Sequence, residues 1–285
     1  MAALLAACDG AKPRAEPAPV VTAKRENPSA PPAYEAAIAR GLSYLDASRA
    51  HVSSLQWLFV DYLQRKFGLD PRFAAVNTLR APPTTGTEAL HFRVHERIAF
   101  PDQLVDRLPL AEADPMSRVV MAAAHCDHIP VFAEFAAELE QMIARSDYDL
   151  THAALALQLT AENGCAVLPA ARVVAVRAEL AQGMAKLAAD PKTSWDLRYE
   201  ALALLFYTGH AETVRSEWLD RIVSEQQADG GWLGDRAAPL SNDHSSVLAI
   251  WALLEAARPQ APRLPLLRRP SAAQGHGATN VQPRL

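Results

Sequence analysis

The sequence predicts an all-α fold, an array of about five to six helical hairpins, and three observations carry that expectation. Half of the 285 residues are apolar, alanine and leucine dominate, and glycine is sparse at 12 residues. That composition favours helix over sheet. Three segments recur at a fixed distance along the chain. Stretches that are apolar nearly all round alternate with amphipathic ones, and glycine closes several of them.

The recurring segments are Asp149-Leu-Thr-His-Ala-Ala-Leu-Ala-Leu, Asp196-Leu-Arg-Tyr-Glu-Ala-Leu-Ala-Leu and Asp243-His-Ser-Ser-Val-Leu-Ala-Ile-Trp, 47 residues apart in both steps. A period of that size holds two helices and two loops and marks a helical repeat. Each segment opens on an aspartate, expected here as the N-cap, because its carboxylate accepts from the orphan N–H groups of the first turn. The apolar run that follows predicts a helix buried on all sides. Asn163-Gly164 and Thr208-Gly209 are its C-cap signals.

From the N-terminus the elements follow in order. Six of the 21 prolines fall in residues 1–32 and five in 259–285, so the folded domain is expected over 32–259, with a disordered tail at 260–285. Residues 32–49 read as an outer helix and 51–67 as an inner one closed by Gly68. The stretch 71–101 breaks the rhythm, and His91-Phe92-Arg93-Val94-His95 alternates like a short strand. Residues 115–126 read as inner, 130–145 as outer, and 169–189 and 213–228 as outer, with the three repeat segments inner. About five inner helices result, compatible with an open array or a closed ring of six hairpins.

The opening residues Leu5-Ala6-Ala7-Cys8 resemble the lipobox of bacterial lipoproteins, in which the cysteine thiol receives a diacylglycerol. The resemblance implies a truncated signal at 1–8 with the true start upstream, lipidation at Cys8, and a Pro/Ala-rich linker at 9–31 as tether. Asp9 then resembles an inner-membrane retention signal. The expected location is the cell envelope, as a lipoprotein facing the periplasm and held to the membrane by its lipid alone; the alternative is the cytoplasm. A net charge of −4 carries no basic excess, which argues against nucleic acid as a partner.

Residues 226–232, Gln226-Gln-Ala-Asp229-Gly230-Gly231-Trp232, resemble the Gln/Trp repeat of squalene and terpene cyclases and of protein prenyltransferase subunits, although Arg221 stands where an aromatic is usual. In that superfamily the glutamine ties an outer helix to the following turn. The resemblance implies an α/α toroid with its working residues at the N-terminal ends of the inner helices. Asp147-Tyr-Asp149-Leu-Thr151 is similar to the acid motif of protonating cyclases, with Asp149 at the general acid and Leu150 in place of the last aspartate. Asp149-x-x-His152 is similar to the segment that supplies a zinc-ligating histidine in prenyltransferases. Ser245 stands where that site would need a cysteine.

If the inner helices are parallel, one rim gathers His51, Asp149, His152, Asp196, Tyr199, Asp243 and His244. Asp149, His152, Asp243 and His244 are the candidate catalytic residues, for acid–base work or metal binding, and His51, Asp196, Tyr199 and Trp251 the candidate ligand contacts. The bland reading makes the aspartates helix caps and Trp195, Trp232 and Trp251 plain core. The opposite rim carries His125, Cys126, His128, Cys165 and His210. Free buried thiols are the first expectation there, a Cys126–Cys165 disulfide the second and a metal site from these five the third. Small residues on the inner helices, such as Ala154, Ala156 and Ala203, either leave room for a lipid, peptide or glycan in the centre or let it close tightly. Three functions are consistent with the sequence: binding such a ligand, an enzyme working at the N-terminal rim, or a scaffold for a protein partner.

Overall fold

The computed structural model describes residues 31–78, 86–100, 108, 110 and 113–268, without the side chains of residues 86–90. The signal with Cys8, the linker through residue 30 and the tail from residue 269 lie outside the described residues. Among the described residues the chain is all-α. The helices are α1 (Pro32–Ala47), α2 (Ser54–Phe67), α3 (Ala75–Thr78), α4 (Gly86–Ala99), α5 (Pro115–His125), α6 (Phe135–Ala144), α7 (Tyr148–Asn163), α8 (Ala170–Ala189), α9 (Trp195–Tyr207), α10 (Ser216–Ser224) and α11 (Asp243–Ala257). An isolated bridge between Trp232 and Asn242 is the β-type pairing among these residues. No described helix is long and apolar enough to cross a membrane.

Burial sorts the helices into two layers. Helix α11 is buried from Ser245 through Glu255 and α9 from Leu197 through Leu205. Neither has a polar face to offer water, so the hydrophobic effect places both inside. Helix α10 buries Trp218, Leu219 and Ile222 and leaves its other side exposed. The inner helices touch in the order α2, α4, α5, α7, α9, α11, and α11 packs back on α2. Helix α6 covers α5 and α7, α8 covers α7 and α9, and α1 and α10 cover α11. Close packing of α1 needs Gly41, because a Cβ there would meet Ile250 Cγ1 and Trp232 Cζ3 at 2.8 Å.

The inner helices point the same way. Residues from the first two turns of α2, α5, α7 and α11 line one pocket, together with Glu200 of α9. The C-terminal ends meet as well. Cys126 and Cys165, just past α5 and α7, form a disulfide with Cα atoms 6.2 Å apart. Lys66 of α2 reaches Glu255 of α11 at 2.6 Å, and Tyr207 of α9 donates to Glu162 of α7 at 2.7 Å. Between the two ends, Trp251 packs against Phe59, Tyr62 and Tyr207 with ring centroids 5.2–5.5 Å apart. Such aromatic pairs contribute about 0.5–1.5 kcal/mol each beyond the area they bury.

Gln226 joins the end of α10 to its neighbours. Its Nε2 donates to Gly230 O at 2.8 Å and to Ala37 O of α1 at 2.9 Å, while Arg40 donates to its Oε1. Trp232 is fully buried, and its Nε1 donates to Ile222 O at 2.7 Å.

Three expectations are corrected. Residues 91–95 lie in α4 and form no strand, since Val94, His95 and Ile98 are buried on a helical spacing against α2. The repeat aspartates are not the N-caps. Ser194 caps α9 and Asn242 caps α11, each side chain accepting from the backbone N–H three residues on, while Asp196 and Asp243 sit within the first turn. Asp147 occupies the cap of α7 with φ of 63° and makes no side-chain cap bond. The tail does not begin at 260. Leu266 and Leu267 are buried, Arg65 donates to Pro265 O and Leu266 O, and Arg268 pairs with Asp61 at 2.8 Å. Residues 259–268 thus form a strap across the C-terminal rim.

Candidate functional site

The N-terminal rim is assembled from the starts of α7, α9 and α11. Because Ser194 and Asn242 satisfy the first-turn N–H groups, the Asp196 carboxylate is released from capping and turns sideways. It accepts from His244 Nδ1 at 3.0 and 3.1 Å, from Tyr148 OH at 2.9 Å and from the Ser245 hydroxyl. A carboxylate only accepts, so the Nδ1 of His244 carries the proton in this pair. Burial pushes the Asp196 carboxyl up, but the hydrogen bond and charge of His244 and the hydroxyls of Ser245 and Tyr148 outweigh it, and the group sits below the usual carboxylate range. Burial likewise pushes the His244 imidazole down, and the bond and charge of Asp196, with the charge of Glu200, carry it above its ordinary 6.5. Burial and the nearby Asp196 hold the Tyr148 hydroxyl in its neutral, donating form.

One turn beyond Asp196, Glu200 is 4% exposed. Its Oε1 lies 3.2 Å from His152 Nδ1, which also lies 2.9 Å from Tyr148 O. Its Oε2 is buried and has no hydrogen-bond partner. His91, Ser117, His152, Glu200 and His244 form the polar part of a pocket of about 40 Å³. Leu55, Phe59, Val120, Met121, Leu155, Leu204, Leu248 and Trp251 form its apolar part. Among the described residues, Asp196, Glu200 and His244 each offer a ligand atom, all within 4.8 Å of one another, a grouping that could hold a metal ion.

Of the rim residues expected from sequence, His152, Asp196 and His244 come together, with Trp251 in the pocket wall. Four others do not join them. Asp149 is drawn to Arg145 at 3.1 Å on the approach to its own helix. Asp243 precedes His244 by one residue, about 100° around the helix, and faces α1, where Tyr44 OH donates to it at 3.2 Å. Tyr199 precedes Glu200 by one residue and is turned to the outer layer, donating to Glu225 at 2.8 Å. His51 is exposed in the loop before α2. Glu200 is absent from the residues expected at this rim. Its signal is a lone acidic residue in a run otherwise fit for complete burial.

At the opposite rim the structure forms the disulfide rather than free thiols, because parallel α5 and α7 end side by side. The five metal candidates there do not assemble. Cys126 and Cys165 are bonded to each other, His128 pairs with Asp127 at 3.2 Å, and His210 lies 3.6 Å from Glu212. His125 is buried, and burial aided by the charges of Arg97 and His128 pushes it down to about 3, so it stays neutral. A second cavity, about 770 Å³, lies under the strap and is bordered by Lys66, Glu162, Arg177, Tyr207, Glu255 and Arg263.

Compared with family models, with curated proteins and with solved structures, the chain matches none of them.

Proposed function

We propose that the chain is an enzyme whose working end is the N-terminal rim, where His244, oriented by Asp196, acts as the acid–base group on a small molecule. The single observation that carries this reading is the His244–Asp196 bond set beside Glu200 and His152 in one pocket. A carboxylate behind an imidazole fixes its tautomer and supports the charge it gains when it takes a proton. The apolar part of the pocket suits a substrate with an apolar portion next to the reacting group.

A comparison of metabolite profiles tests this without a chosen substrate. Wild type and His244→Ala are incubated with a complex metabolite extract, and both mixtures are profiled by mass spectrometry. The expected result is at least one compound consumed by wild type and spared by the variant. Identical profiles would sink the reading.

The same apolar wall favours a second reading, binding of a lipid, peptide or glycan without turnover. The pocket would have to widen from about 40 Å³ to admit such a ligand. A compound that co-purifies with wild type and is lost in His152→Ala, with no compound consumed, would select it.

The closed order of inner helices and the Gln226–Trp232 turn support an α/α toroid as the architecture. The Cys126–Cys165 bond supports an oxidising compartment such as the cell envelope. Palmitate labelling of wild type, absent in Cys8→Ala, is the expected result if a lipid anchors the chain there.

A further inference from the structure

We infer that Asp196, Glu200 and His244 bind one divalent transition-metal ion of the zinc class, with His152 positioning Glu200. The inference rests on reading the N-terminal rim as the working site and gives His244 a different part in it: with Nδ1–H on Asp196 and Nε2 on the ion, the imidazole exchanges no proton, and the ion supplies the acid instead.

Three observations carry it. The ligand atoms of the trio lie within 4.8 Å of one another. Nitrogen and oxygen ligands sit about 2.0–2.2 Å from zinc, so small side-chain rotations bring all three onto one ion. Next, Glu200 is buried and its Oε2 has no partner. A buried carboxylate oxygen left bare is costly unless a cation meets it. Its other oxygen is engaged by His152 Nδ1 at 3.2 Å, which leaves Oε2 as the ligand. The last observation is the support behind the trio. Tyr148 and Ser245 donate hydroxyls to Asp196, and a ligand held from behind in this way keeps its orientation.

The donor set selects the ion. One imidazole and two carboxylates suit zinc or manganese, whereas magnesium and calcium take oxygen ligands. Among the described residues no thiolate is involved, since Cys126 and Cys165 are bonded to each other at the far rim.

The experiment uses the full chain, tag removed, stripped with chelator and dialysed. Zn²⁺ is titrated calorimetrically, with Mg²⁺ as the comparison ion, and metal content is read by elemental analysis. One equivalent of zinc per chain is expected, with no measurable magnesium binding. Glu200→Gln is expected to weaken zinc by at least about 10-fold, and Asp149→Asn, which lies outside the trio, to leave it unchanged. Circular dichroism checks that each variant is folded. Should Glu200→Gln fail to fold, the visible spectrum of Co²⁺ added to wild type, abolished by competing zinc, reads the same site. Wild type that takes up no zinc and gives no cobalt spectrum overturns the inference, as does a folded Glu200→Gln with wild-type affinity. Zinc bound in the absence of any substrate consumption would overturn the enzyme reading alone. Consumption that depends on His244 without any bound metal would overturn the metal alone.

Discussion

His244 Nδ1 donates to Asp196 at 3.0 Å, linking the first turns of α11 and α9 across 48 residues of chain. Asp196 is also the acceptor for Tyr148 of α7, so one carboxylate ties together the starts of three inner helices. Asp196→Asn replaces one accepting oxygen by a donor and leaves part of that set unmatched. The expected loss is about 1–3 kcal/mol of stability, read by urea denaturation. A double-mutant cycle of Asp196→Ala with His244→Ala should return a coupling of about 0.5–3 kcal/mol. Strict additivity would mean that the bond does not operate in solution.

Glu162 gives the strap a pH dependence. Burial raises its carboxyl, and the hydrogen bonds from Tyr207, Gln158 and Leu266 and the charge of Arg65 only partly offset this. The folded value therefore lies above its ordinary 4.5, and the folded chain binds more protons than the unfolded one. Its contribution to stability is complete below 4.5 and is lost as pH rises through the folded value. Glu162→Gln removes that titration. Unfolding free energy measured between about pH 4.5 and 7 should fall less steeply in the variant. Equal slopes would show that Glu162 is not buried as described.

The disulfide spans 39 residues of sequence between the ends of α5 and α7. Closing a loop of that length in the unfolded chain stabilises the fold by about 4 kcal/mol. Replacing both cysteines with serine should lower Tm by roughly 8–16 °C for a domain of this size. Adding reductant to the wild type should lower it similarly and leave the variant unaffected. Thiol labelling that finds both cysteines free in protein purified from an oxidising compartment would contradict the bond.

Gly41 tests the seat of α1 on α11. An added methyl collides with Ile250 and Trp232, both buried, so neither can swing into solvent. Gly41→Ala should cost about 1–3 kcal/mol by overpacking, more than offsetting its gain in helix propensity of about 1 kcal/mol. A stabilised variant would show that α1 packs more loosely.

Much of the architecture is written in short stretches of sequence. The apolar runs after Asp196 and Asp243 mark inner helices because no polar stripe remains, and Gly164 adopts the left-handed φ of 76° that its C-cap signal implies. The same local reading fails where two patterns overlap. His91-Phe92-Arg93-Val94-His95 satisfies period two over five residues, and the helical period shows only when Ile98 is included. The caps fall one or two positions before the aspartates because Ser194 and Asn242 cap as well as aspartate does.

The rim was legible as a region and not as a constellation. Segments that start 47 residues apart on parallel helices begin at the same level, which is why His152, Asp196 and His244, each near the start of its segment, share an end of the molecule. Which of them meet depends on angle about each helix axis. A step of one residue turns a side chain by about 100°, enough to send Asp243 to Tyr44 and Tyr199 to Glu225 while His244 and Glu200 face the pocket. That angle is fixed by packing between helices far apart in the chain, α11 against α1 and α9 above all. Periodicity and capping act over a few neighbouring residues and could specify the helices. Only the long-range contacts that rotate each helix into its seat could choose the side chains that converge.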